Sequence, residues 1–211
     1  MLNTFEKLPA KKQYDILNAA ANVFAKKGYY QANVAEICKA AGISNGALYK
    51  YFKNKEDLFQ SVLSSHIDRL ADVLNIRNTA GVPFFTLMED LLNGMVLFTE
   101  TELDYWTIYH DLGSASMDHL TATLSTRIER VAHDFWVEML KKGKLEGEVR
   151  ADIDTDVAAY AVDNHIMIFI FSFISRHYQQ RFQVYFGGPG KELSGEEKVE
   201  YLMRSIKQLL G

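Results

Sequence analysis

Apolar residues recur at helical spacing along nearly the whole chain, and glycines, asparagines and serines punctuate the stripes. The first stripe is Ile16, Leu17, Ala20, Ala21 and Phe24. Lys26 and Lys27 follow in its last turn, where cations suit the helix dipole, and Gly28 suits the residue just past the end. Residues 2–9 read as a poorly ordered lead-in, with Pro9 tolerated near a helix start. The next stripe is Val34, Ile37, Cys38 and Ala41. Asn33 caps it, Glu36 stands at the spacing of a capping box, and Gly42 supplies the left-handed residue that ends it. Ser44 then caps a further helix, with Ile43 stapled onto Leu48 and with Leu48 and Phe52 facing inward as i, i+4 partners. Asn45, Gly46, Ala47, Tyr49, Lys50 and Tyr51 are left to face outward.

Asn54 begins a fourth helix, with Asp57 at capping-box spacing. Leu58, Val62, Leu63, Ile67, Leu70 and Leu74 carry its stripe to about Arg77. The pattern breaks over 78–83, and a helix over 84–101 follows. Residues 104–112 hold Tyr105, Trp106, Tyr109 and His110, the densest aromatic cluster, before a turn at 113–116. Leu120, Leu124, Ile128, Val131, Phe135 and Met139 mark a helix over 117–142. A long helix over 155–182, capped by Asp154 or Thr155, is apolar nearly all round over 166–174 and so must be buried on more than one side. The last helix, 195–210, has one apolar face. Gly187, Gly188, Pro189 and Gly190 read as a flexible loop; no strand precedes them to make a phosphate cradle. With only three prolines and little β-type alternation, the fold class is all-α.

A short helix, a glycine turn and a second capped helix describe a helix-turn-helix, whose second helix enters the major groove N-terminus first. Gly46 permits close backbone approach, and Ala47 packs on a thymine methyl. Tyr49, Lys50, Tyr51 and Lys55 are placed to reach phosphate oxygens. On pattern alone, an ordinary helical hairpin with a solvated face stands as the alternative.

Residues 32–37 (Ala-Asn-Val-Ala-Glu-Ile) and 41–58, from the Gly42-Ile43-Ser44 turn through Leu48-Tyr49-Lys50-Tyr51-Phe52 to Lys55-Glu56-Asp57-Leu58, resemble the DNA-binding domain of the TetR family of transcriptional regulators. The resemblance covers roughly the first third of the chain strongly. It departs at Ala32 and Asn33, where the family usually has Thr, Thr or Ser contacting phosphate; Asn33 still caps and donates, while Ala32 has no hydroxyl. It implies a three-helix helix-turn-helix domain over 1–54 and an all-helical effector-binding and dimerisation domain over 55–211. The DNA-contacting set it implies is Asn33, Ser44, Asn45, Gly46, Ala47, Tyr49, Lys50, Tyr51 and Lys55. It also implies a homodimer through the last two helices, a double-stranded inverted-repeat operator and release of a repressor by a small, largely apolar effector.

Charge changes the picture in the same direction. Residues 1–55 hold nine lysines against Glu6, Asp15 and Glu36, a balance of +6, and the remainder balances at −10 within a total of −4. A basic head beside an acidic body fits a polyanion partner at one end. The only cysteine, Cys38, excludes an intrachain disulfide and reads as core. No leader sequence is visible, and the longest apolar run, 166–171, is too short to span a bilayer, so the expected location is cytoplasmic. No Gly-x-Ser-x-Gly elbow, Walker-type loop or His-Glu-x-x-His is present, and the six histidines, among them His66, His119 and His133, are scattered. No enzyme activity, metal or cofactor is expected. An effector pocket would draw on His66, Phe98, Tyr105, Trp106, Tyr109, His110, Phe135, Asn164 and His165, since ligand sites are apolar with a few convergent polar groups. The alternatives are that the aromatics are core, that Asn164 and His165 bond across a dimer interface, or that the body docks a protein partner.

Overall fold

A computed structural model of the chain describes residues 1–76, 81–188 and 191–211, apart from the side chains of 73–76, Ala115, His119 and 121–124. The expected stripe positions Leu74 and Leu124, the side chain of His119, the start of the break at Asn78, and Pro189 and Gly190 lie outside the described residues. Eleven α-helices are present among the described residues, with no strand: α1 (Asn3–Glu6), α2 (Ala10–Gln31), α3 (Val34–Ala41), α4 (Asn45–Tyr51), α5 (Lys55–Ile76), α6 (Phe84–Thr101), α7 (Leu103–Asp111), α8 (Asp118–Leu145), α9 (Thr155–Ile174), α10 (Arg176–Phe182) and α11 (Gly195–Leu210). A 3-10 turn (Ala115–Met117) precedes α8, and a π turn (Gln183–Gly187) follows α10. The chain forms two compact units, one of residues 1–70 with 104–126 and one of 71–103 with 127–211.

In the first unit, the stripe of α2 is buried together with Ile37 and Cys38 of α3, Leu48 of α4 and Leu58, Phe59, Val62 and Leu63 of α5. Burial pushes the Cys38 thiol up, which suits an inert core residue. The lead-in is ordered, contrary to expectation. Phe5 is fully buried, its ring 4.8 Å from Phe52 and 5.9 Å from Tyr51, and the Leu2 amide donates to the Tyr51 carbonyl. Burying one phenylalanine contributes about 2–3 kcal/mol, enough to fold a single helical turn onto α4. A lone phenylalanine has no periodicity, so the pattern could not show it.

Gly28, at φ 70° and ψ 163°, breaks α2 at the expected place, and one further turn follows to Gln31. The long helix expected over 155–182 is divided at Ser175, which is extended (φ −114°, ψ 122°). The apolar run stops at Ile174, and the polar sequence Arg176-His177-Tyr178-Gln179-Gln180 begins a new helix with a different face.

The second unit packs α9 with α6, α10 and α11. Ser194 and Glu197 form a full capping box on α11, and the Arg150 amide donates to the Leu210 carbonyl at 2.9 Å. The buried Lys198 ammonium donates to the Ser172 carbonyl (3.0 Å) near the end of α9, where a cation suits the dipole; burial lowers its pKa. Judged by length and composition, α9 could cross a membrane, which the 166–171 run had understated, yet less than half of its most apolar stretch is covered by its own chain.

His133 on α8 bonds Asp134 (Nδ1, 2.9 Å) and Asp156 in the first turn of α9 (Nε2, 3.0 Å). These contacts, Asp134 first, raise its pKa above the ordinary 6.5. A raised histidine pKa contributes stability that is complete below 6.5 and is lost as pH rises through the folded value. Melting curves of wild type should therefore fall slightly between pH 6 and pH 8 from this source, and H133Q should lose that component. An identical pH dependence in H133Q would contradict it.

Candidate nucleic-acid interface

The candidate DNA-facing surface is built from caps. The Asn33 side chain accepts from the Ala35 amide (2.8 Å) and starts α3, and Gly42, at φ 64°, ends it with its amide reaching the Cys38 and Lys39 carbonyls. Ser44 Oγ accepts from the Ala47 amide (3.1 Å) and starts α4. Glu36 does not close a capping box. Its carboxylate takes the Lys27 ammonium at 2.6 and 2.7 Å, clamping α3 to α2. An ammonium is a stronger partner for a carboxylate than a backbone amide.

With Leu48 and Phe52 buried beneath it, α4 leaves Ser44, Asn45, Gly46, Tyr49 and Lys50 exposed and Ala47 partly so. A Cβ placed on Gly46 meets only Ser44 Oγ, at 4.0 Å. Nothing in the fold demands glycine there. Tyr51 is half-buried against Phe5, so its ring serves packing as well as any contact outside.

Lys55 departs from its expected position. Its ammonium donates to the carbonyls of Tyr29 (2.8 Å), Tyr30 (3.2 Å) and Ala32 (3.3 Å) and lies 4.6 Å from the centre of the Tyr29 ring. All three of its donors are thus spent on the open carbonyls at the end of α2, a negative helix terminus that attracts a cation from within the chain. The role it has here is to lock α2 to α5.

The nine residues considered for an effector fall in both units. In the first, His66 is buried and stacks on Tyr105 (5.1 Å, 12°) with Trp106 edge-on (5.1 Å, 87°), and Trp106 meets Tyr109 at 5.9 Å. The Tyr105 hydroxyl donates to Asn18 (2.7 Å), and the Arg69 guanidinium lies 4.5 Å from its ring. His110 is half-buried beside Asp111 (3.3 Å). In the second unit, Phe98 and Phe135 are half-buried, and Phe135 packs edge-on to Trp136 (4.7 Å). Asn164, expected inside an apolar helix, is exposed on α9 and donates to the Tyr160 carbonyl one turn back. His165 bonds the Ala161 carbonyl (2.6 Å) and lines a groove of about 180 Å³ with Ile168, Phe182 and Leu202.

Asp163 escaped the pattern reading. It accepts from Trp136 Nε1 (2.9 Å), and burial pushes its carboxyl above the usual range. The one signal for it was a polar residue beside Asn164 and His165 in an apolar helix. Among the described residues, no three His, Cys, Asp or Glu side chains are grouped as a metal site would require.

The family described as bacterial regulatory proteins, tetR family, matches residues 16–62, which run from α2 through α4 into α5. The chain belongs to the TetR family. Over 154 residues it is 28% identical to the HTH-type transcriptional repressor KstR2 of Mycolicibacterium smegmatis, spanning 71% of this chain and 73% of that protein. The fatty acid metabolism regulator protein of Bacillus subtilis is 40% identical over 73 residues, 33% of this chain and 38% of that one. The fatty acid degradation regulator FadR of Bacillus halodurans superposes with a TM-score of 0.75 at 21% identity, covering 97% of each chain. FadR of Bacillus subtilis, solved in complex with stearoyl-CoA, gives 0.74 at 16% identity over 94% of this chain and 99% of that one; these two likenesses show the fold. As a TetR-family protein the chain is a transcriptional regulator, not an enzyme. It keeps the family's helix-turn-helix head and helical body.

Proposed function

We propose that this regulator is a cytoplasmic homodimeric repressor that binds an inverted-repeat operator and releases it on binding a small, largely apolar effector of the long-chain acyl thioester class. The observation that carries the DNA part is the exposed row on α4 above a fully buried Leu48 and Phe52. Residues 1–54 carry DNA recognition and 55–211 carry effector binding and dimerisation. The acyl class is supported by the regulators of fatty acid metabolism among its relatives and by the stearoyl-CoA that one similar structure holds. The effector acts by preferring one spacing of the two heads; a preference of a few kcal/mol suffices. A panel of acyl thioesters of rising chain length, added to a preformed protein–DNA complex, tests it. Release that strengthens with chain length supports the reading, and indifference to every chain length removes it.

The dimer is supported by α9, which leaves Val157 65% and Tyr160 74% exposed beside the exposed Asn164 in a single chain. Charging that face through V157E with Y160E should convert a dimer to a monomer in sedimentation without loss of helix. It should also cost most of the operator affinity, since two half-sites are then no longer read together. A double variant that still sediments as a dimer would place the interface elsewhere.

A further inference from the structure

We infer that Asn164 lies on the two-fold axis of the homodimer, where its side-chain amide pairs with Asn164 of the partner subunit and so selects a second copy of this chain in one register. The inference rests on the dimer reading above and names what stands at its centre.

The uncovered face of α9 carries it. Val157, Ala161, Asn164, Ile168 and Phe171 follow one another at steps of four and three residues, the spacing of a seam along which one helix packs on another. Val157 and Asn164 are exposed and the other three half-buried, and less than half of the most apolar stretch of α9 is covered by its own chain. Asn164, at the middle of the seam, is its one polar member. A lone asparagine in an apolar seam costs stability and selects the register in which it meets another polar group.

The bonds Asn164 already makes say which group that is. Its Nδ2 donates to the Tyr160 carbonyl at 2.7 Å, and a carbonyl only accepts, so the amide's orientation is fixed. One N–H and the Oδ1 remain, and among the described residues neither has a partner. A second asparagine amide offers one acceptor and one donor in return, so two copies satisfy each other. In an interface between like surfaces, only a residue on the axis meets its own copy.

Shape sets the direction of the two helices. Tyr160, four residues before Asn164, is an exposed knob. Ile168, four residues after it, lines the groove of about 180 Å³ with Phe182, Phe186 and Leu202. Parallel helices would set knob against knob and groove against groove. Run antiparallel about Asn164, each groove receives the partner subunit's Tyr160.

Mixing oppositely charged variants of the full-length protein tests the axis. N164D and N164K should each keep the helix content and raise the dimer Kd at least about tenfold in sedimentation, because like charges then face each other. Their equimolar mixture should form a heterodimer about as tight as wild type. A cross-link tests the direction: under mild copper oxidation, Y160C mixed with I168C should give a disulfide-linked dimer that neither variant gives alone. Wild type, with Cys38 buried, is the control. N164D or N164K dimerising alone like wild type, a mixture without preference for the heterodimer, cross-linking of Y160C by itself, or none in the mixture would each overturn the inference. If V157E with Y160E is monomeric while the charged mixture shows no preference, the dimer reading stands and Asn164 is off its axis. If that double variant stays dimeric and the mixture also fails, both readings fall.

Discussion

Replacing Gly46 with glutamate is expected to abolish operator binding while leaving helix content and melting temperature as they are. The fold tolerates the change, because a Cβ at this position meets only Ser44 Oγ at 4.0 Å and the residue lies in the first turn of α4. A carboxylate there even suits the positive end of the helix dipole. The loss arises at the interface. The second helix of a helix-turn-helix presents its N-terminal residues to base edges, and a charged side chain there fills the space of close approach and faces phosphate anions. Affinity should fall about a hundredfold or more, with no DNA sequence favoured in compensation. G46A, with a single added methyl, should lose far less. Retained binding by G46E would show that α4 does not lie against DNA.

Lys55 provides the second large effect, and its sign separates two roles. A lysine that met phosphate would, once removed, lower the slope of log affinity against log salt by about 0.9 and leave stability alone. The geometry assigns Lys55 the opposite behaviour, since its ammonium joins the Tyr29, Tyr30 and Ala32 carbonyls to the start of α5. K55M keeps the apolar stem and removes the charge. With hydrogen bonds to a charged donor worth about 1.5–3 kcal/mol, the head should lose some 2–3 kcal/mol. For a unit of this size that lowers its melting temperature by about 10 °C. Well below that temperature the salt slope should match wild type. K50A is the counterpart, because Lys50 is exposed on α4 and, among the described residues, no partner holds its ammonium. Its slope should drop and its stability hold. If K55M melted like wild type with a shallower slope, Lys55 would be a phosphate contact after all.

The contrast between these lysines shows where the sequence was legible. Asn33, Gly42 and Ser44 act within a turn or two of their own positions, so their caps could be read directly and the structure keeps each of them. Lys55 could not be read, because its acceptors lie more than twenty residues away on another helix. Glu36 has the local spacing of a capping box and still turns to Lys27, a stronger partner brought near only by tertiary packing. The same holds for α1, whose single buried phenylalanine carries no periodic signal. The aromatic cluster of α7 was easy to see and hard to interpret. Hydrophobicity marks Tyr105 and Trp106 for burial, but the partners that make them core, Asn18 and His66, come from distant helices. Ser175 divides the long helix where apolar composition gives way to polar, a boundary that an all-round apolar stretch had obscured.

The central claim is sequence-specific recognition of DNA by a pair of these heads. Its most direct test is a salt titration of binding, by fluorescence anisotropy, to the duplex just upstream of the protein's own gene and to random duplex of equal length. Two protomers per duplex are predicted, with affinity at least about a thousandfold above random DNA and a steep fall as salt rises. Weak binding that treats both duplexes alike would contradict the account.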